Sequence, residues 1–378
     1  MAKVRISAVR FASLLANRNM TPGMLVQRVT TAVRPHDLAA ADQDVEFEDL
    51  LALAKVFAHP WSSLLLDEPE VLRRGSDNRT FGNRKVDLSP QLIAELQLAD
   101  LMLGTAAELF PGNGYEIPAV PKGGWPEDRL ASEIRSFLGV SVDDQMGVKD
   151  AYAAVRLWIA ALNRRNVYVS QRSLKDPTVR AFSKVDAGQA VIVVSTKDES
   201  HPRIFSMLHE YCHVVLHSTG VCDLLDHSDV ERYCNKVAAG VLLPPELLTR
   251  LWTPGAFSGS EEMADKALQT MSGRAHVSQQ ALLIALRNRG TISQDLHDGM
   301  EARRAARRGG GGKKTKKGSP TYYTVEINKV GRLYAHRVVD ALSEGVIDRQ
   351  DASVLLGVGE QNVAKYRNAL AEGAAADA

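Results

Sequence analysis

The sequence has few cysteines and no long run of apolar residues. Its three cysteines are too few, and odd in number, for a disulfide framework. The longest largely apolar stretches cover residues 50–57, 191–194 and 237–243, far short of the roughly 18 residues that cross a bilayer. The N-terminal residues lack the apolar stretch and the small-residue cleavage site of a secretory signal. These absences predict a cytoplasmic protein without a membrane-spanning segment.

Length and composition indicate a folded protein of more than one domain. Hydrophobic residues make up 45% of the chain and charged residues 24%, which excludes wholesale disorder. A chain of 378 residues is longer than one ordinary domain, so we expect two or three compact units.

The net charge of +1 conceals one strongly basic segment, residues 301–317, which carries +7 and leaves −6 on the rest of the chain. The segment has no apolar side chain larger than alanine, so it is predicted to be a flexible linker or an exposed loop. The alternative is a basic arm that contacts nucleic acid or an acidic partner. Its basic residues are Arg303, Arg304, Arg307, Arg308, Lys313, Lys314, Lys316 and Lys317.

Apolar periodicity predicts an α+β protein in which helices dominate. Short helices joined by tight turns are expected in residues 6–66, a pattern typical of a helix-turn-helix bundle. Longer helices are predicted at residues 90–109, 127–138 and 148–163, and strands at 166–171 and 190–195. Residues 180–184 are expected to supply a further strand or a hairpin.

The N-terminal bundle carries only a weak signal for DNA binding. The helix predicted between Pro35 and Ala41 is poor in the Arg, Asn and Gln side chains that read base edges. Two acids, Asp37 and Asp42, lie in or beside it.

The motif with the clearest chemistry lies on the helix that follows the strand at 190–195. This helix contains His209, Glu210 and His213 in the sequence HEYCH. Histidines four residues apart lie on one helix face, where both imidazoles can bind one Zn²⁺ ion. Glu210 is placed to take a proton from the attacking water and to pass it to the leaving amine. The upstream strand and the helix are the context that a metalloprotease requires.

A catalytic zinc site needs a third protein ligand and one open position. Leu216 and Thr219 stand where the extended HExxHxxGxxH pattern needs Gly and His, so the metzincin arrangement is excluded. Glu231, in the first turn of the next predicted helix, is the favoured third ligand. Its alternative role is a capping box with Ser228. Further acidic or histidine candidates are Asp223, Asp226, His227 and Asp229.

Other polar residues near the motif are assigned lesser roles. His217 lies about 12 Å along the helix from His209, so we expect it to pack or to support a ligand. His227 and Tyr233 are candidates for the donor that stabilises the oxyanion. Cys212 and Cys234 are interpreted as small buried side chains and are given no zinc-binding role.

Several segments together resemble the ImmA/IrrE metallopeptidases, in the architecture where a Xre-type helix-turn-helix precedes the protease. The strand AVIVVS, the helix RIFSMLHEYCHVVLH and the helix ERYCNKVAAGVLLPPELL match the family's core pattern. The resemblance extends to RPHDLAAADQDVEFEDLLALAKVFAHPWSSLLLDEPE, SDNRTF, HVSQQALLIALRNRGTIS and GVIDRQDASVLLGVGEQNVAKYRN. Residues 39–42 lack the Trp and Gly of the family's helix-turn-helix signature, so residues 6–66 are candidates for either DNA contact or substrate docking.

The resemblance implies a gluzincin-type zinc endopeptidase with one zinc ion held by His209, His213 and Glu231, and with Glu210 as the catalytic acid and base. It also implies cleavage of a Xre-family repressor, which releases genes for a stress or mobile-element response. The competing hypothesis is a DNA-binding regulator or antitoxin-like module with a structural or vestigial zinc site. Glu210 favours the enzyme, because a structural site usually closes with a fourth Cys or His ligand.

The predicted architecture therefore has five parts. They are a Xre-like helix-turn-helix bundle at residues 1–70, a helical linker at 71–125, a zincin-like peptidase domain with a small sheet at 126–300, the basic Gly/Lys-rich loop at 301–320 and a helical C-terminal region at 321–378.

Overall fold

A computed structural model describes residues 3–16, 20–57, 64–69, 89–121, 124–175, 179–219, 227–308 and 321–377. These residues form an α+β protein in which helices dominate and two small sheets contribute the strands, which confirms the predicted fold class. The chain divides into two compact units. The first comprises residues 1–102 with 174–178, and the second comprises residues 103–173 with 179–378.

The first unit is a helical bundle with a two-stranded ribbon. Its elements are β1 (Lys3–Ile6), α1 (Ala8–Ala16), α2 (Pro22–Val26), α3 (Pro35–Ala40), β2 (Gln43–Glu46) and α4 (Phe47–Phe57). Phe11 of α1 packs edge-to-face on Phe57 of α4, with ring centroids 5.7 Å apart. The antiparallel pair β1–β2, in which Val4 lies opposite Val45, corrects the expectation of helices alone. Strands of four residues that pair across some forty positions carry little periodic signal, so the ribbon escaped the prediction.

Helix α5 (Pro90–Leu109) crosses the division between the units, and it has the predicted bounds. The second unit continues with α6 (Glu127–Leu138), α7 (Val142–Gly147), α8 (Ala151–Asn163), β3 (Val167–Arg172), β4 (Ala181–Asp186), β5 (Gln189–Ser195), α9 (Ser200–Thr219) and α10 (His227–Leu242). Helix α6 also has its predicted bounds. Helix α8 begins later than predicted because Asp150 caps it, accepting hydrogen bonds from the backbone N–H groups of Tyr152 and Ala153 at 2.9 Å each.

The remaining elements of the second unit are helical. They are α11 (Pro245–Leu251), α12 (Glu261–Ala275), α13 (Gln279–Asn288), α14 (Gln294–Arg308), α15 (Tyr322–Val330), α16 (Arg332–Ser343), α17 (Arg349–Leu356), a 3-10 turn (Glu360–Asn362) and α18 (Val363–Asp377). None of the helices in the described part of the chain is long and apolar enough to cross a membrane.

The three-stranded sheet of the second unit has the order β3-β5-β4. Strand β5 lies in the centre with every residue buried. It runs parallel to β3 and antiparallel to β4, and Ile192 lies opposite both Val169 and Ser183. The further strand expected around residues 180–184 is thus confirmed as β4. Helix α9 packs against β4, β5, α8 and α10, which places the HEYCH motif beside the sheet.

The C-terminal helices pack on β3, the edge strand opposite β4. Ser170 donates a hydrogen bond to the carbonyl of Lys329, and Arg337 donates to Asn166 Oδ1 at 2.7 Å. Gly331, between α15 and α16, approaches the backbone of Val169 so closely that a side chain there would overlap with its carbonyl oxygen. The region predicted separately as residues 321–378 therefore belongs to the same compact unit as the sheet.

The basic segment begins as a helix, which corrects the prediction of a loop from residue 301. Residues 301–308 form the end of α14, where alanines and arginines favour helix. Arg303 forms ion pairs with Glu261 at 3.2 Å and Asp265 at 3.3 Å, and Arg304 with Glu301 at 2.7 Å. Both arginines are thus engaged within the unit. The side chains of Arg307 and Arg308, and all of residues 309–320 with Lys313, Lys314, Lys316 and Lys317, lie outside the described residues.

Candidate metal centre

Helix α9 brings His209 and His213 together on one face, as the spacing predicts. Their Nε2 atoms lie 3.1 Å apart, and their ring centroids 4.8 Å apart. The ring of Phe205, one turn earlier, packs against His209 with centroids 6.4 Å apart. The Nδ1 atom of His209 is buried and has no hydrogen-bond partner among the described residues. Packing against the rings of Phe205 and His213 therefore contributes to the orientation of this imidazole.

Glu231 lies in the second turn of α10, which packs against α9, and its carboxylate meets both histidines. Its Oε2 atom lies 3.3 Å from His209 Nε2, and its Oε1 atom lies 3.2 Å from His213 Nε2. The side chain thus faces the histidine pair, as the ligand interpretation of Glu231 requires. Hydrogen bonds from the two imidazoles hold the pKa of the Glu231 carboxyl well below its usual range.

The donor set of this cluster fits zinc. Two imidazole nitrogens and one carboxylate oxygen lie within 4.8 Å of one another. Two nitrogens and an oxygen are a donor set found in catalytic zinc sites, which keep one position open for water or substrate. His209, His213 and Glu231 are half-buried, with side chains 14%, 19% and 38% exposed, so solvent reaches the cluster. The described residues contain no other group of three candidate ligands.

Glu210, next to His209, stands apart from the three clustered side chains. Its Oε2 atom accepts a hydrogen bond of 2.8 Å from the hydroxyl of Ser183 on β4. Ser183 is a site residue that the sequence did not single out. Its one signal was a serine between Ala181 and Val185, at the alternating positions that face one side of the strand.

The buried cysteines lie between the two ligand-bearing helices. Cys234 hydrogen-bonds to Cys212 and to His213, and both thiols are free and buried. The bond to Cys212, together with burial, raises the pKa of Cys234, so it stays a neutral thiol. Neither thiol belongs to the described group of three candidate ligands, which agrees with their interpretation as packing residues.

The other predicted site residues lie elsewhere or outside the described side chains. Tyr233 donates a hydrogen bond to the backbone carbonyl of Trp125, two residues before α6, so its hydroxyl proton links α10 to the start of α6. Burial raises the pKa of Tyr233 to about 12. The side chains of His217 and His227 lie outside the described residues, as do Asp223 and Asp226. Asp229 is exposed and pairs with Arg232 instead.

Comparison with known protein families places this site in a recognised domain. Residues 162–286 match the model of a peptidase family, described as the IrrE N-terminal-like domain. The match begins at the end of α8 and includes β3–β5, α9 and α10. It therefore contains the three clustered side chains, His209, His213 and Glu231, and the neighbouring Glu210. This region is therefore a metallopeptidase domain of the ImmA/IrrE type, and the resemblance seen in the sequence is confirmed over these residues. A search of curated proteins found no match.

Proposed function

We propose that the protein is a zinc-dependent, site-specific endopeptidase of the gluzincin type. In this proposal His209, His213 and Glu231 hold one zinc ion, and Glu210 is the catalytic acid and base. The observation that carries it is the convergence of two Nε2 atoms and one carboxylate from α9 and α10, inside a domain that matches a peptidase family. The free thiols of Cys212 and Cys234, the two cysteines that the structure describes, support the cytoplasmic location that is part of this proposal.

In this proposal, different residues of the centre have different roles in peptide hydrolysis. Zinc, when bound, polarises the scissile carbonyl and makes a neighbouring water more acidic. The Glu210 carboxylate accepts a proton from the attacking water as the new carbon–oxygen bond forms. It then returns that proton to the amide nitrogen as the carbon–nitrogen bond breaks, so the carboxylate is regenerated. Ser183 keeps one oxygen of Glu210 in place through its hydrogen bond.

The proposed substrate is a Xre-family transcriptional repressor, cut at one site to relieve repression in a stress or mobile-element response. This part of the proposal is supported by the family of the catalytic domain. The first unit is proposed as the part that docks the substrate or contacts DNA. A Xre-like bundle at residues 1–70, ahead of the peptidase domain, remains part of the same proposal.

The substrate proposal is tested by mapping new protein N-termini. A lysate of the source cells is incubated with the zinc-loaded protein or with its Glu210→Gln variant, and the N-termini are compared by mass spectrometry. We expect one or a few new termini, within a helix-turn-helix repressor, that depend on Glu210. New termini spread over many unrelated proteins would contradict site specificity, and identical termini with both proteins would contradict the peptidase itself.

A further inference from the structure

Ser183 lies on the edge strand β4, between two apolar residues of the same face. It lies opposite Ile192 of the central strand, in the middle of β4. Its neighbours on the same face, Ala181 and Val185, pack against the apolar core. A hydroxyl between two apolar residues adds little to such packing, so its contact with Glu210 is the feature to explain.

That contact is a well-formed hydrogen bond across two elements. The Ser183 hydroxyl donates to Glu210 Oε2 at 2.8 Å in a partly buried position, and the two residues are 27 positions apart. Within the described part of the chain, Ser183 is the hydrogen-bond partner of this carboxylate. A glutamate side chain has three rotatable bonds, and a hydrogen bond to one oxygen restricts all of them. The other oxygen, Oε1, has no hydrogen-bond partner among the residues that the structure describes, as a proton acceptor needs.

We propose that Ser183 is a positioning residue for the general base, a role that rests on the proposed peptidase function. The hydroxyl holds Glu210 Oε2 and so presents Oε1 to the attacking water. Preorganisation of this kind lowers the cost of reaching the reactive geometry, while the metal ligands themselves are unaffected. The role depends on the hydroxyl, so threonine preserves it and alanine abolishes it.

Binding of acetohydroxamate to the full-length zinc-loaded protein tests the role without a known substrate. The probe has a hydroxyl that occupies the place of the attacking water and shares its proton with the general base. Calorimetry is run on the parent protein and on Ser183→Ala, Ser183→Thr and Glu210→Gln, with zinc content measured for each. Lys184→Ala is the matched control, because Lys184 follows Ser183 on β4 and its side chain projects to the opposite face.

We expect Ser183→Ala and Glu210→Gln to weaken acetohydroxamate binding by about tenfold, the lower end of what one hydrogen bond to a charged group contributes. Ser183→Thr and Lys184→Ala should bind it like the parent, and all variants should retain zinc. With a peptide substrate, Ser183→Ala should lower kcat and leave KM nearly unchanged.

Three results would overturn the role of Ser183 and leave the peptidase function standing. Unchanged probe affinity in Ser183→Ala would show that the hydroxyl does not position Glu210. Equal losses in Ser183→Ala and Ser183→Thr, or loss of zinc from Ser183→Ala, would show a packing role. If the alanine variant does not fold, Ser183→Cys takes its place, since it keeps the volume and weakens the donor. Failure of the zinc-loaded parent to bind the probe would instead refute the peptidase function, and the positioning role with it.

Discussion

At the scale of single residues, the metal centre is formed by side chains from two helices, α9 and α10, whose polar atoms lie close together. His209 and His213 come from one helix and can be brought together by its local geometry alone. Glu231 comes from the next helix, and its two oxygens each lie within 3.3 Å of one imidazole. The three side chains thus contact one another at similar short distances, and a bound metal ion would replace these contacts with coordinate bonds.

Removal of the Glu231 carboxylate should therefore abolish stoichiometric zinc binding. We expect Glu231→Ala to lower zinc affinity by more than about 100-fold, since even residues that only support zinc ligands contribute 10- to 100-fold. Elemental analysis of the purified proteins should find about one zinc per chain in the parent, as a three-ligand site implies, and far less in the variant.

Glu210→Gln is the control for this measurement, because Glu210 is adjacent to a ligand but outside the cluster of three. It should retain zinc. Full zinc retention in Glu231→Ala would show that Glu231 is not the third ligand and reopen the search for that ligand. Loss of zinc from Glu210→Gln would contradict its role as a base that does not bind the metal.

At the scale of elements, the sheet is bordered on its two sides in different ways. Strand β4 provides Ser183 beside the motif helix, while β3 is covered by the turn between α15 and α16. Gly331 makes this cover possible, because its φ of +86° and its contact with Val169 both exclude a side chain. The C-terminal helices thus stabilise the sheet at the edge that does not supply Ser183.

Gly331→Ala should destabilise the second unit markedly. We expect a loss of about 3 kcal/mol, from an unfavourable positive φ together with steric overlap at the Val169 carbonyl. Urea unfolding followed by circular dichroism measures the change. Gly345→Ala is the matched control, since Gly345 has a φ of +72° but open space around it, and should lose only about 1 kcal/mol. Equal losses would show that the close approach to Val169 contributes nothing.

At the scale of the whole molecule, all the residues of the centre lie in the second unit. Ser183, His209, Glu210, His213 and Glu231 all fall within residues 179–378 of that unit. The positive charge of the chain is concentrated in one segment. The net charge is only +1, yet the basic segment at 301–317 carries +7. Arg303 and Arg304 are engaged in ion pairs, which leaves Arg307, Arg308 and the four lysines of the segment as the candidates for contact with a polyanion.

Replacement of four lysines in the basic segment by glutamine should weaken binding to heparin, a polyanion that mimics nucleic acid. The variant changes Lys313, Lys314, Lys316 and Lys317 and lowers the net charge from +1 to −3. We expect elution at clearly lower salt, because fewer counterions are released on binding. The control replaces four exposed lysines elsewhere and reaches the same net charge; they are Lys149, Lys197, Lys266 and Lys365. Equal shifts in elution for both variants would show that the basic segment contributes no more to heparin binding than lysines elsewhere in the chain.

Local spacing in the sequence determined much of this protein. The bounds of α5 and α6, the strand nature of β5 and the shared face of His209 and His213 follow from interactions within a few residues, which periodicity records directly. The HEYCH motif predicted the chemistry of the centre for the same reason.

Tertiary structure alone decided which distant segments meet. The ribbon of β1 and β2, the ion pairs of Arg303, the docking of Gly331 on Val169 and the bond from Ser183 to Glu210 join residues that lie far apart in the chain. Such contacts depend on how whole helices and strands pack, because burial of their apolar faces sets the geometry and the polar contacts form where that geometry allows. A serine in a strand has no local signature of the carboxylate it will meet, and only the packed fold brings the two together.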